Sequence, residues 1–237
     1  MQSLNQRDLY WVLRRAPKCV VELMKSQQSL FLAGGFVRAC IANEEPSDVD
    51  LFAPDEERAD LYARVLAGPD GRVWKSANAT TIRRPDVALP VQVIHRWTYA
   101  RPEDLIESFD FTVAKSVIWC TSLRDERTHR AGWGSLTHND FYADLAAKRL
   151  VYTMPKRNED AGGSLLRVLK FYQKGYRIPL DSLGAVVARL VQGVDLAPKT
   201  EEEKAAAIIA LLHEVDPLQD PLHIFHLPTS QEPNFTE

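Results

Sequence analysis

The sequence predicts an α/β (α+β) fold followed by a small helical C-terminal part, on three observations. Short apolar, strand-like runs near 30–33, 48–52, 72–75, 80–83 and 88–96 alternate with amphipathic helical stretches. Two of these runs are joined by Gly34-Gly35, a short helical segment and a polar turn containing Pro46. Beyond Gly162-Gly163 the patterns are helical, up to a proline-rich tail.

Taken in order, Leu4–Arg15 and Val20–Lys25 read as helices separated by Pro17, with Leu9, Val12 and Leu13 at helical spacing to pack on a sheet. Leu30–Ala33 is an apolar strand. It enters Gly34-Gly35, where backbone without side chains lets a phosphate approach the unpaired N–H groups of the following helix start, Phe36–Ala42. The next strand carries Asp48 and Asp50. Strand side chains alternate, so these two carboxylates share a face while Val49 and Leu51 point into the core. Two carboxylates a few ångströms apart repel unless a cation lies between them. Mg²⁺, or Mn²⁺ in its place, is the expected occupant, since Mg²⁺ takes hard oxygen ligands and shares its shell with substrate phosphates. Gly-Gly alone marks a turn, and a lone Asp-x-Asp is usually a solvated loop. The strand before, the helix between and the apolar residues bracketing both aspartates carry the functional reading.

These residues resemble the nucleotidyltransferase superfamily that includes DNA polymerase β. The form Gly34-Gly35-Phe36-Val37-Arg38 is closest to class II tRNA nucleotidyltransferases and bacterial poly(A) polymerases, although Ala39 stands where those enzymes usually have aspartate. The resemblance implies a nucleotidyltransferase head with a mixed antiparallel sheet flanked by helices. It also implies that Gly34, Gly35 and Arg38 hold a nucleoside triphosphate such as ATP.

Further along, Asp55–Leu66 is an amphipathic helix, Asp70-Gly71 a turn, and 72–75 and 80–83 short strands. Ala88–Arg96 is an apolar strand with Gln92 at its centre, where the superfamily often carries a third carboxylate. Glu103–Ser108 is a short helix. Phe109-Asp110-Phe111-Thr112-Val113-Ala114-Lys115 then resembles the Arg-Asp-Phe-Thr-Ile-Asn-Ala motif of class II enzymes, with Phe109 for arginine and Lys115 where the family stays apolar. Asp110 ranks above Gln92 as a third metal ligand. The alternative is a buried aspartate that hydrogen-bonds a backbone turn between head and neck. Ala143–Val151 resembles the family's Asp-Leu hairpin. Leu166–Phe171 with Gly175–Ile178 resembles its neck signature. Arg167, Lys170 and Lys174 fall on one helix side and suit either phosphates or solvent. Helices are expected at Leu183–Val191 and Glu201–Val215. The expected domains are 1–126 (head), 127–216 (neck and helical part) and 217–237 (irregular tail).

Composition narrows the classes. With 45% hydrophobic and 26% charged residues, the 237-residue chain reads as an ordinary globular protein. No apolar run reaches membrane-spanning length, and MQSLNQRDLYW lacks a signal-peptide core, so a cytoplasmic protein with no membrane partner is expected. Cys19, Cys40 and Cys120 are odd in number and unpaired in spacing, which reads as reduced, mostly buried thiols. The six histidines offer no zinc spacing. A net charge of −3 argues against a generic nucleic-acid coat, but Arg127–Arg189 holds eleven Lys/Arg against five Asp/Glu and suits a polyanion or a solvated helical surface.

The expected chemistry is metal-dependent transfer of a nucleoside monophosphate from a triphosphate to an acceptor hydroxyl. The ligands would be Asp48, Asp50 and Asp110, the triphosphate contacts Gly34, Gly35, Arg38, Arg167 and Lys170, and the leading acceptor a tRNA-like RNA end. About sixty residues follow the neck, without the Glu-Asp-x-x-Arg base-selecting motif of class II enzymes. Nucleotide transfer to a protein hydroxyl, and a catalytically silent nucleotide- or RNA-binding module, are the competing readings.

Overall fold

A computed structural model describes residues 1–124, 131–155, 161–194 and 200–215. The chain divides into two compact units, 1–156 and 157–237. The expected boundary at 126/127 falls in 125–130, outside the described residues, as does the tail 217–237.

The first unit opens with α1 (Gln6–Arg15) and α2 (Lys18–Ser26), with Pro17 capping α2. Leu9, Val12 and Leu13 of α1 and Val20, Leu23 and Met24 of α2 are buried, so both helices turn apolar stripes inward. Next come β1 (Phe31–Ala33), α3 (Gly35–Ala42), β2 (Val49–Phe52) and α4 (Glu56–Ala67). The Asp55 carboxylate caps α4 by accepting from the Arg58 backbone N–H at 2.7 Å. The strands β3 (Arg72–Lys75), β4 (Ala79–Arg83) and β5 (Val91–Ile94) precede α5 (Pro102–Glu107). A 3₁₀ turn (Thr112–Ala114), β6 (Ser116–Arg124), β7 (Ala131–Thr137) and α6 (Phe141–Ala146) complete the unit.

The seven strands form one sheet in the order β3-β4-β5-β2-β1-β6-β7, antiparallel except for the β2–β5 pair. This agrees with the expected mixed sheet flanked by helices. Helices α3 and α4 pack on one face, α3 on β1, β2 and β6, and α4 on β4 and β5. On the other face Phe31, Ala33, Phe52, Ala79, Ile94 and Val117 join Leu105 and Ile106 of α5 in a buried cluster. Asp50 lies two residues from Phe52 and therefore belongs to this second face.

In the second unit α7 (Ala161–Gln173) packs against α8 (Leu180–Gln192) and α9 (Glu201–Val215). Tyr176, fully buried, packs edge-on to Phe171 at 5.1 Å between ring centroids. No described helix is long and apolar enough to cross a membrane. Cys40 and Cys120 are buried free thiols and Cys19 is partly buried.

Two local expectations change. The segment after α5 is a bend and a 3₁₀ turn, so Asp110 does not lie in a strand. Asp48 sits one residue ahead of β2.

Candidate functional site

The site grows from the β1–α3 junction. Gly34 has φ +75°, a conformation that side-chain-bearing residues rarely adopt, and its N–H donates to the Ser116 carbonyl at 3.0 Å. A Cβ there would sit 3.2 Å from the Phe109 ring, so this glycine is required twice over. Gly35, by contrast, opens on free space: a Cβ there meets nothing within 4 Å. The first helical N–H bond of α3 runs from Arg38 to the Gly34 carbonyl at 3.2 Å, and no side chain caps the helix start. Donors at such an end suit an anion. The two glycines therefore separate experimentally. Gly34→Ala is expected to cost about 1–3 kcal/mol through backbone strain, read from the urea midpoint. Gly35→Ala is expected to hold or raise stability by up to about 1 kcal/mol while weakening nucleotide binding, read by titration calorimetry.

Asp48 and Asp50, both partly exposed, flank buried Val49. Ser47 Oγ donates to Asp48 Oδ1 at 3.0 Å, and the Val49 N–H donates to the Pro90 carbonyl at 3.0 Å. The parallel β2–β5 register sets Asp50 directly beside Gln92, and the β4–β5 register continues the row to Thr81. Gln92 thus occupies the neighbouring-strand position anticipated for a third acid. Below the row, Phe52 meets the Phe109 ring edge-on at 5.9 Å and the Tyr99 ring at 6.2 Å. Phe109, which also closes over Gly34, roots this aromatic floor under the glycine turn.

Arg38, expected at the triphosphate, is 3% exposed, and its guanidinium pairs with the Glu44 carboxylate. Glu44 lies also 3.7 Å from the Lys148 ammonium. Left-handed Asn43 (φ 54°) turns the chain so that Glu44 reaches back over α3. Arg38 therefore fastens the connection that delivers Asp48. Periodicity could not show this, because the partner lies beyond the helix end.

Asp110 is 2% exposed, and its backbone carbonyl accepts from the Thr153 N–H at 2.8 Å and the Thr153 hydroxyl at 3.1 Å. Among the described residues no three His, Cys, Asp or Glu side chains gather in a group able to hold a metal ion. Asp48 and Asp50 are paired by sequence and Gln92 by register, but Asp110 is not assembled with them. Arg167, partly buried, and Lys170, exposed, lie on α7 in the second unit.

Lys115, noted in the sequence only as a departure, is buried, with its ammonium 3.4 Å from Glu107, whose side chain is 63% exposed. Burial pushes the Lys115 pKa down from 10.5, while Glu107 and then Asp110 pull it upward. The folded state thus holds this proton less tightly than the unfolded chain. The burial cost is fully present while both states are protonated and disappears as pH rises from the folded value towards 10.5. Wild-type stability is expected to gain over that window, by no more than about 1.4 kcal/mol per pH unit. Urea melts of Lys115→Met should lack this increment.

A different buried acid secures the segment after Asp110. Asp144, with no exposed surface, accepts from the Thr112 hydroxyl at 2.5 Å and from Arg149 Nε at 2.7 Å and Nη2 at 2.6 Å.

Solved structures of CCA-adding enzymes align over most of the chain. The Thermotoga maritima CCA-adding enzyme complexed with tRNA has a TM-score of 0.54 at 15% identity, covering 91% of this chain and 55% of that protein. A CCA-adding enzyme complexed with ATP has a TM-score of 0.57 at 16% identity, covering 94% and 53%. The fold is that of nucleotidyltransferases related to the class II tRNA enzymes. A protein of Bacillus phage SPbetaL7, "Gabija anti-defense 2", is 25% identical over 184 residues, covering 78% of this chain and 42% of that protein. The chain thus spans less than half of this relative and about half of the CCA-adding enzymes. Residues 3–148, from the start of the chain through the Asp144 hairpin, match the model of the Gabija anti-defense 2 family protein, and the chain belongs to that family.

Proposed function

We propose that this protein is a nucleotidyltransferase, moving a nucleoside monophosphate from a nucleoside triphosphate to an acceptor hydroxyl in the service of an anti-defence role. The observation that carries this reading is the partly exposed Asp48/Asp50 pair flanking buried Val49, with Gly35 at the preceding helix start free of neighbours within 4 Å. An RNA end is the leading acceptor. The fold shared with CCA-adding enzymes and the basic side chains of α7, including Arg167 and Lys170, support it.

Asp48, Asp50 and the Gln92 amide oxygen are hard oxygen donors, and they fit a Mg²⁺ or Mn²⁺ ion. Bound there, such an ion would neutralise phosphate charge and polarise the α-phosphorus. The chain's own groups do the rest. The Gly34-Gly35 turn brings backbone against the triphosphate, and the α3 start donates N–H bonds to it. The acceptor oxygen forms a bond to the α-phosphorus, the α–β bridging P–O bond breaks, pyrophosphate leaves and the hydroxyl proton passes to solvent. Arg38 acts at one remove, by fastening the Asp48 connection through Glu44.

A silent nucleotide-binding module is the second reading, favoured by Gln92 beside Asp50 in place of an acid. One experiment separates the readings. The protein is incubated with each α-labelled triphosphate and Mg²⁺ or Mn²⁺, with tRNA or a protein extract added. Labelled RNA supports the leading acceptor, labelled protein moves the acceptor to a protein hydroxyl, and no label with retained nucleotide binding selects the silent module.

A further inference from the structure

The row that holds Asp50 and Gln92 continues outward. Thr81 of β4 pairs with Gln92, and Trp74 of the edge strand β3 pairs with Thr81. Paired residues share a face, so Trp74 stands on the same side as Asp50, three strand spacings away, or about 14 Å. Every residue of β3 is exposed, and Trp74 keeps 50% of its surface in solvent.

Two residues along from Trp74, Arg72 lies directly opposite Arg83 of β4, on the same face. Like charges opposed across strands repel. Neither arginine forms an ion pair among the described residues. On neighbouring elements Asp60 is paired with Lys75 at 3.0 Å and Asp86 with Arg84 at 2.8 Å. Lys75 alternates to the far face and with Asp60 does the ordinary work of guarding a sheet edge. The Trp74–Arg72–Arg83 set lies on the other side, where an exposed indole gives an edge no such protection.

We infer that Trp74, Arg72 and Arg83 form a binding platform for single-stranded nucleic acid, with a base stacked on the indole and adjacent phosphates against the two guanidinium groups. Flat aromatic surface beside paired cations is the chemistry that tracks an unpaired strand without reading its sequence. A strand anchored there needs about four stacked nucleotides, at 3.4 Å each, to bring its end to Asp50. The platform deepens the acceptor side of the proposed transfer and rests on that reading for its purpose. Its occupancy is measurable without any transfer.

The test is fluorescence anisotropy of the full chain with dye-labelled single-stranded RNA, single-stranded DNA and duplex DNA, over a series of salt concentrations. The wild type is expected to bind single strands in preference to duplex. Trp74→Ala should weaken binding about tenfold or more. The Arg72→Glu/Arg83→Glu double variant should weaken it further and lower the salt slope by about 1–2. These residues are exposed, so thermal melts should match the wild type. RNA bound much more tightly than DNA identifies the strand as RNA, and equal binding leaves both as ligands of the platform. Wild-type affinity in both platform variants overturns the proposal, as does preference for duplex. So does single-strand binding that persists in them while Trp74→Ala abolishes association with a protein, which would make β3 a protein-docking edge. Platform binding in a wild type that transfers no nucleotide refutes the transfer reading alone.

Discussion

Asp50→Asn is expected to leave the thermal melt unchanged and to reduce nucleotide transfer by about a thousandfold or more. The side chain is partly exposed, and asparagine has nearly the same shape, so trading one carboxylate oxygen for an amide removes charge without opening a cavity. The pair offers two acids, and losing one forfeits several kcal/mol of charge stabilisation in the reacting complex, at a factor of ten per 1.36 kcal/mol. Asp48→Asn should behave alike. Asp110→Asn is the informative contrast. Asp110 is almost fully buried behind the 3₁₀ turn and is not gathered with the pair. That change should lower the urea midpoint, by about 1–3 kcal/mol if a buried acceptor loses its partner, and leave transfer measurable. Gln92→Glu sets a third carboxylate beside Asp50 in register and is expected to raise transfer. Single-turnover assays with labelled triphosphate decide all four. Full transfer in Asp50→Asn would remove the site from this face altogether.

Much of this arrangement was legible locally. The strand, glycine pair, helix and aspartate-bearing strand lie within 23 consecutive residues, and local spacing places each one. The helix Glu201–Val215 and the strand Arg72–Lys75 fall where periodicity and flanking turns put them. The β5 strand is shorter than its apolar run, 91–94 within 88–96. Pro90 has no N–H to offer a ladder, although its carbonyl serves Val49. What stayed hidden was non-local. The β6 strand pairs with β7 on one side and with distant β1 on the other, where the Ser116 carbonyl fixes Gly34. The Arg38 side chain meets a partner that helical spacing does not place. Its burial against Glu44 depends on the left-handed turn at Asn43, outside any helical pattern. Asp110 lies between two aromatics, as a strand residue would. Phe109 turns to Phe52 and Phe111 to Tyr152, and those tertiary partners make a bend of the segment.

Asp144→Ala is expected to carry the largest stability loss in the first unit, about 3–5 kcal/mol, and in a domain of ordinary stability that is a large share of the total. The carboxylate is fully enclosed and satisfied by a hydroxyl and two guanidinium nitrogens. Removing it strands the Thr112 hydroxyl in the interior and leaves Arg149 without its counter-ion. The consequence reaches the site by a short path. Thr112 opens the 3₁₀ turn, that turn and α6 pack on α3, and α3 begins at Gly35. Loss of the tie should therefore loosen the α3 start at Gly35. Asp144→Asn is the control: it keeps an oxygen for the Thr112 hydroxyl and loses charge only towards Arg149, which is half exposed. Its cost should be the smaller, about 1–2 kcal/mol. Urea unfolding followed by circular dichroism measures both variants. Hydrogen exchange at the amides of residues 35–38 should rise in Asp144→Ala and stay near wild type in Asp144→Asn. Equal losses in the two variants would show that the charge on Asp144, more than the hydroxyl tie, holds this corner together.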